Sequence, residues 1–150
     1  VTIEKIRNNR PNPGINRQLK TAITIMQKVT GATVFGDTLK SKTVSFEPKG
    51  HLSGDFVGDC ETAGSITLMM QMLFPTLLFC PKDSTLLLKG GTNVSKSPPI
   101  NYTRKQFTFL LKEMGINMDL TLIKDGFFPR GMGEVSINFP KRGDDEYIKP

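Results

Sequence analysis

A chain of 150 residues that is 37% hydrophobic and 23% charged can bury a core, which excludes a globally disordered protein. The formal net charge of +6 points to an anionic partner such as nucleic acid or a nucleotide, beside the plainer reading of a merely basic surface. Two cysteines and one histidine exclude a disulfide framework and the usual zinc sets, and fit a reducing intracellular setting.

Residues 1–6 (VTIEKI) alternate apolar and polar, the pattern of a half-buried strand. The chain opens there without a Met and reads as a piece of a longer protein. Residues 7–16 (RNNRPNPGIN) form a loop, and a helix is predicted over 17–29 with Leu19, Ile23, Met26 and Val29 on one face. Gly31 ends it; residues 32–35 read as a strand and 43–46 as its partner.

A further strand is predicted over 54–60, then a helix over 64–79 that is apolar nearly all round and therefore enclosed by its domain. Pro75 should kink or shorten it. Its apolar run is too short to span a bilayer and no signal peptide is visible, so no membrane partner is expected. Next come a strand over 85–89, a loop over 90–100 and a helix over 101–114. The predicted apolar face of that helix is Phe107, Leu110, Leu111 and Met114; Gly115 stops it, and strands follow over 116–123 and 134–139.

Strand, long polar loop, helix, Gly, strand, strand thus occurs twice, over about 1–48 and 84–140, with 54–80 as a connecting strand and helix. The endings match as well: TVSFEP at 43–48 against EVSINFP at 134–140. The expected fold class is α/β in the α+β sense, repeated βαββ units with helices layered on sheets in one domain. Ligands in such layers bind where strand ends lead into helices, so the candidate site is the edge shared by the two loops.

The first loop carries Arg7 and Arg10, with Arg17 and Gln18 at the helix start. Guanidinium groups grip phosphate through paired hydrogen bonds, and a helix start adds N–H donors; the alternative is a solvated basic loop. In the second loop Gly90 and Gly91 allow close backbone approach, Thr92, Asn93, Ser95 and Ser97 are short polar groups, and Pro98-Pro99 could present a rigid apolar face. It lacks the Walker spacing and could equally be an ordinary connection. Thr62 or Ser65 can cap the apolar helix. Gln71 is the single strongly polar group in LMMQMLF, either a core amide satisfied by backbone or a ligand contact. Arg130 reads as a solvated turn residue or a phosphate contact, and His51 as an inert loop histidine.

Read together, four segments resemble the RNA 3'-terminal phosphate cyclase family: IRxxRxxPGI at 6–15, TAGSxTLxxQ at 62–71, KGGTN at 89–93 with SPPI following, and GFFPRGxGEV at 126–135. The resemblance implies the family's repeat-built large domain and an ATP- and Mg²⁺-dependent ligase that adenylylates a histidine. AMP then passes to an RNA 3'-phosphate, and the neighbouring 2'-hydroxyl closes a 2',3'-cyclic phosphate. It implies that Arg7, Arg10, Arg17 and Gln18 meet RNA phosphates, that Gln71 and Asn93 line the nucleotide site, and that Pro98 packs on adenine. No catalytic residue is implied within this chain: the family's nucleophilic histidine would lie beyond Pro150 and its acidic, glycine-rich segment before Val1. The chain alone is therefore not expected to turn over.

Leu19 stands where the family commonly has histidine, and Met132 where it has glycine. These departures fit the alternative, a noncatalytic relative acting with ribosome-assembly partners in pre-rRNA processing. A generic basic RNA-binding domain is the third reading. A nuclear setting is expected, nucleoplasmic for the enzyme and nucleolar for the assembly factor.

Overall fold

The computed structural model describes residues 1–141, so residues 142–150 of the predicted domain lie outside the described residues. In chain order, β1 (Thr2–Ile3) leads to α1 (Arg17–Thr30), β2 (Thr33–Phe35) and β3 (Val44–Glu47). Then come β4 (Asp55–Asp59), α2 (Ile66–Leu77) and β5 (Ser84–Gly90). A helix over 100–113, α3, precedes β6 (Asp119–Lys124) and β7 (Gly133–Phe139).

The strands form two sheets, ordered β1-β3-β2 and β4-β5-β7-β6. In each, the last strand of a strand–helix–hairpin run inserts between the run's first strand and its own hairpin mate, antiparallel to both. β4 pairs parallel with β5, and α2 is the crossover between them, so the 54–80 segment enters the second sheet directly. This is an α+β fold of mixed and antiparallel sheets with helices layered on them.

Strand alternation sorts the second sheet cleanly. Leu86 and Leu88 of β5 and Val135, Ile137 and Phe139 of β7 point inward and are buried. Against them lie Ile66, Met69, Met70, Leu73 and Leu77 of α2, at helical spacing, each contributing about 1.5–3 kcal/mol on burial. α1 joins the same core through Ala22, Ile25 and Val29. It can approach closely because β4 has Gly58 there: a Cβ on Gly58 would collide with Ile25 Cδ1 and stand 3.0 Å from Thr21 Cγ2.

Several expectations shift. The first strand is shorter than 1–6, because Lys5 and Arg7 adopt left-handed φ values of 54° and 52° that end extended pairing. α1 is apolar on two sides: Leu19 and Ile23 do not enter the core with Val29 but line an apolar cleft with Ile3, Ile6, Phe46 and Met72, and Met26 lies between, packing on the core and lining the cleft. α2 is not enclosed all round, since Gln71, Met72 and Pro75 are exposed; α1 and the sheet cover one side of it. It passes Pro75 and ends at Leu77.

The face of α3 also moves. Ile100, Thr103 and Leu111 are buried and Phe107 packs on the core, whereas Leu110 is 54% and Met114 36% exposed. Residues Thr103–Phe107 form a wide π turn in which the Thr108 N–H reaches back to the Thr103 carbonyl. Such a turn holds one extra residue and shifts the face beyond it, so of the predicted stripe Leu111 stays buried while Leu110 and Met114 turn outward.

Candidate functional site

The arginine loop is folded on itself. Arg7 Nη1 donates to the Gly14 carbonyl at 3.1 Å, and the Gly14 N–H donates to the Ile6 carbonyl at 2.8 Å. Gly14 has φ 85°, and any Cβ there would collide with the Lys40 backbone, so the turn requires glycine. Arg7 is thus half-buried and engaged in holding the loop, while Arg10 is exposed. Beyond the loop, Asn16 Oδ1 caps α1 by accepting the Leu19 N–H at 2.9 Å. Arg17 pairs with Glu61.

The start of α2 is the meeting point of both halves. Gln18 Oε1 accepts the Ser65 N–H at 2.8 Å. Ser65 Oγ caps the helix by accepting the Leu68 N–H at 3.2 Å, while Thr62 instead donates to the Cys60 carbonyl. From the other side the Ile66 N–H donates to the Gly91 carbonyl at 3.0 Å, and the Gly91 N–H to the Gly64 carbonyl at 2.8 Å. The Ser65, Ile66 and Leu68 N–H groups at the start of α2 thus have protein partners, and the helix start serves as a structural junction.

The second loop is anchored at two points. The buried Thr92 N–H donates to the Gly126 carbonyl at 2.8 Å, and Asn93 Nδ2 donates to Asp125 Oδ1 at 3.1 Å. Further along, Thr67 Oγ1 donates to the Pro98 carbonyl at 2.8 Å. Pro98 is half-buried and Pro99 exposed. Gln71 sits one turn along α2 from Thr67 and is exposed, which corrects the reading of it as a core amide. Leu19, beside Gln18, faces the apolar cleft.

Polarity follows from these partners. Gln18 uses its oxygen on Ser65, so its amide N–H groups are what it offers outward; Asn93 uses its nitrogen on Asp125 and keeps a lone acceptor oxygen. Gln18 therefore suits an anionic oxygen and Asn93 a hydroxyl or amino donor.

The β6–β7 turn closes over the junction. Gly131 (φ 74°) lies against the Thr62–Ala63 backbone, and its N–H donates to the Phe127 carbonyl at 2.7 Å. Arg130, Lys89 and Lys124 share a cleft of about 260 Å³ with Asp59, Glu61 and Glu134, a balanced rather than cationic lining. Lys89 and Glu134 stand 3.5 Å apart. Burial pushes the Cys60 thiol up, so beside this junction it stays protonated and non-nucleophilic. His51 tilts against Phe79 at 6.0 Å between ring centroids. Among the described residues no three His, Cys, Asp or Glu side chains are grouped to hold a metal.

The structure therefore gathers Gln18, Ser65, Thr67 and Pro98 around the start of α2, with Gln71 one turn on, while Asn93 is held to Asp125. Among the described residues, no side-chain hydrogen bond ties Arg10 to this junction. Sequence reasoning missed Thr67, whose only signal was its place inside TAGSxTLxxQ, and Asp125, the partner of Asn93, which carried none.

A family model described as RNA 3'-terminal phosphate cyclase matches residues 1–149. A protein of that name from Sulfurisphaera tokodaii is 45% identical over 136 residues, covering 90% of this chain and 40% of the relative. The Desulfurococcus amylolyticus protein is 38% identical over 150 residues, covering 100% and 42%, and the Drosophila melanogaster one 38% over 138 residues, covering 92% and 38%. The chain thus spans about two fifths of the length of these relatives. With a family model matched along 1–149, the chain belongs to the RNA 3'-terminal phosphate cyclase family.

Proposed function

We propose that the full-length protein converts an RNA 3'-phosphate to a 2',3'-cyclic phosphate at the expense of ATP, with these residues forming part of the nucleotide and RNA-phosphate sites. The observation that carries this is the junction at α2, where Gln18, in the first turn of α1 after the first loop, and Pro98 of the second loop attach within three residues of each other, at Ser65 and Thr67. Family membership supports RNA as the partner.

The side-chain chemistry fits an adenine nucleotide. Pro98 offers a ring face for a base, Asn93 a free acceptor, and Gln71 an exposed amide. Bound ATP would supply the AMP group that makes the RNA 3'-phosphate a good electrophile, with its histidine acceptor outside this chain. Arg10 is open to solvent and would meet RNA phosphate directly, while Arg7 shapes the loop. The Arg17–Glu61 pair is half exposed, an interaction worth at most about 1 kcal/mol, and would yield to a phosphate. Gln18 would donate its amide N–H groups to the same anion. Mg²⁺ bound with ATP would be held chiefly by the nucleotide's phosphates and water, with at most about one or two carboxylates.

Full-length protein incubated with ATP labelled on its α-phosphate should acquire covalent AMP, and should cyclise a 3'-phosphorylated oligoribonucleotide but not a 3'-hydroxyl one. Absence of both adduct and cyclic product would remove the proposal.

Leu19 favours a second reading, that of a noncatalytic ribosome-assembly factor. It faces the apolar cleft, so it offers no group to an RNA phosphate. Co-sedimentation with pre-ribosomal particles, without ATP binding, would support it. A nuclear setting would suit a host such as Drosophila but not an archaeal relative, so the activity is proposed without a compartment.

A further inference from the structure

Thr67 is 1% exposed, yet its hydroxyl belongs to a hydrogen-bond chain whose direction can be read from end to end. Ser65 Oγ accepts the Leu68 N–H at 3.2 Å and so has its proton free for Thr67 Oγ1, 2.9 Å away. Thr67 in turn gives its proton to the Pro98 carbonyl at 2.8 Å. Each hydroxyl donates once and accepts once, with no choice left over.

That last bond has unusual leverage. Pro98 and Pro99 have no N–H with which to anchor themselves. The Ser97 hydroxyl turns back to the Val94 carbonyl, and Lys96 adopts a left-handed φ of 62°. Beyond Pro98 the Pro99 carbonyl accepts the Tyr102 N–H at 3.1 Å, and the Ile100 N–H donates to the Thr92 carbonyl at 3.0 Å, closing the loop at its base. Pro99 is thus held by the start of α3, while the hydroxyl of Thr67 ties Pro98 to α2.

We infer that Thr67 is a positioning residue for the nucleotide wall: it touches no ligand, but sets where Pro98 stands on α2, one turn before Gln71. The inference rests on the reading of Pro98 as a wall of the nucleotide site. It separates two jobs within one motif, since Ser65 closes the helix and Thr67 carries the loop.

The test uses full-length protein with Thr67→Val, which keeps the shape and removes the proton, and Thr67→Ser, which keeps the proton. Thr67→Val should weaken ATP binding by about five- to tenfold, the size of one ordinary hydrogen bond, and leave the ATP-saturated rate unchanged. Amide exchange at Ile100, whose N–H closes the loop on the Thr92 carbonyl, should quicken in the same variant. Thr67→Ser should restore both to within about twofold of the unmodified protein. If Thr67→Val proves too unstable to assay, Thr67→Cys, a weaker donor, should give an intermediate affinity. Unaltered affinity and exchange in Thr67→Val, in a protein that does bind ATP, would overturn the role of Thr67 alone. Failure of the unmodified protein to bind ATP would instead overturn the nucleotide wall itself.

Discussion

Gln18 of α1 accepts the Ser65 N–H of α2 at 2.8 Å, so one amide side chain completes a helix start in the other half of the chain. The two functions of that side chain can be separated. Gln18→Glu keeps the acceptor oxygen, so stability should change by less than about 0.5 kcal/mol, but it replaces the outward N–H donors with a carboxylate that repels phosphate. Affinity for a 3'-phosphorylated oligonucleotide should fall about tenfold or more by fluorescence anisotropy. Gln18→Ala should also lose about 1–3 kcal/mol in urea denaturation, because the Ser65 N–H is left without a partner. Equal RNA affinity for both variants and the unmodified protein would remove Gln18 from the phosphate site.

Met132 occupies a left-handed conformation, φ 61°, with its side chain 58% exposed. A non-glycine residue there bears about 1–2 kcal/mol of steric penalty, partly offset by the larger unfolded-state freedom of glycine. Met132→Gly should therefore stabilise the protein by up to about 1 kcal/mol, whereas Met132→Ala should gain nothing. Thermal or urea denaturation of the two variants decides it. Met132 thus meets this turn at a backbone cost that glycine would avoid.

Burial raises the pKa of both Cys60 and Cys80, so the folded state holds the protonated thiols more tightly than the unfolded state does. The resulting stability is fully present below the ordinary thiol value of about 9 and drains away as pH rises through the raised folded values. Denaturation midpoints should fall between pH 8 and pH 10.5 by more in the unmodified protein than in a Cys60→Ala, Cys80→Ala variant. At pH 7 a disulfide reagent should label neither thiol until denaturant is added.

The repeated plan was legible because it rests on short-range signals: period-two strands, glycine stops, and the matching endings TVSFEP and EVSINFP. What failed to show was decided by neighbours far away in sequence. α1 is apolar on two faces, and nothing local says that Ala22 and Ile25 take the core while Leu19 and Ile23 line a cleft. The π turn that keeps Leu111 in the α3 stripe but turns Leu110 outward has no residue signature. At the site, the motifs marked the loops, but the links that join them are tertiary. Thr67 to Pro98 and Asp125 to Asn93 each span about thirty residues, and a threonine or aspartate has no pattern announcing such a bond.

Gly58 is where α1 meets β4, and its missing side chain decides how closely the two pack. A Cβ there would collide with Ile25 Cδ1 and crowd Thr21 Cγ2 at 3.0 Å and Leu88 Cδ2 at 3.2 Å. Gly58→Ala should cost about 1–3 kcal/mol, as overpacking of a close-packed core does, despite the stiffer unfolded chain that alanine brings. Because Ile25 and Thr21 lie on the helix that carries Gln18, a displaced α1 should also stretch the Gln18–Ser65 bond. The Ser65 amide should then exchange faster by more than the global loss of stability requires. Ile25→Val in the same background removes the colliding methyl group and should recover part of both losses. A Gly58→Ala protein as stable as the parent, with unaltered Ser65 exchange, would mean that α1 has room to move without loosening the junction.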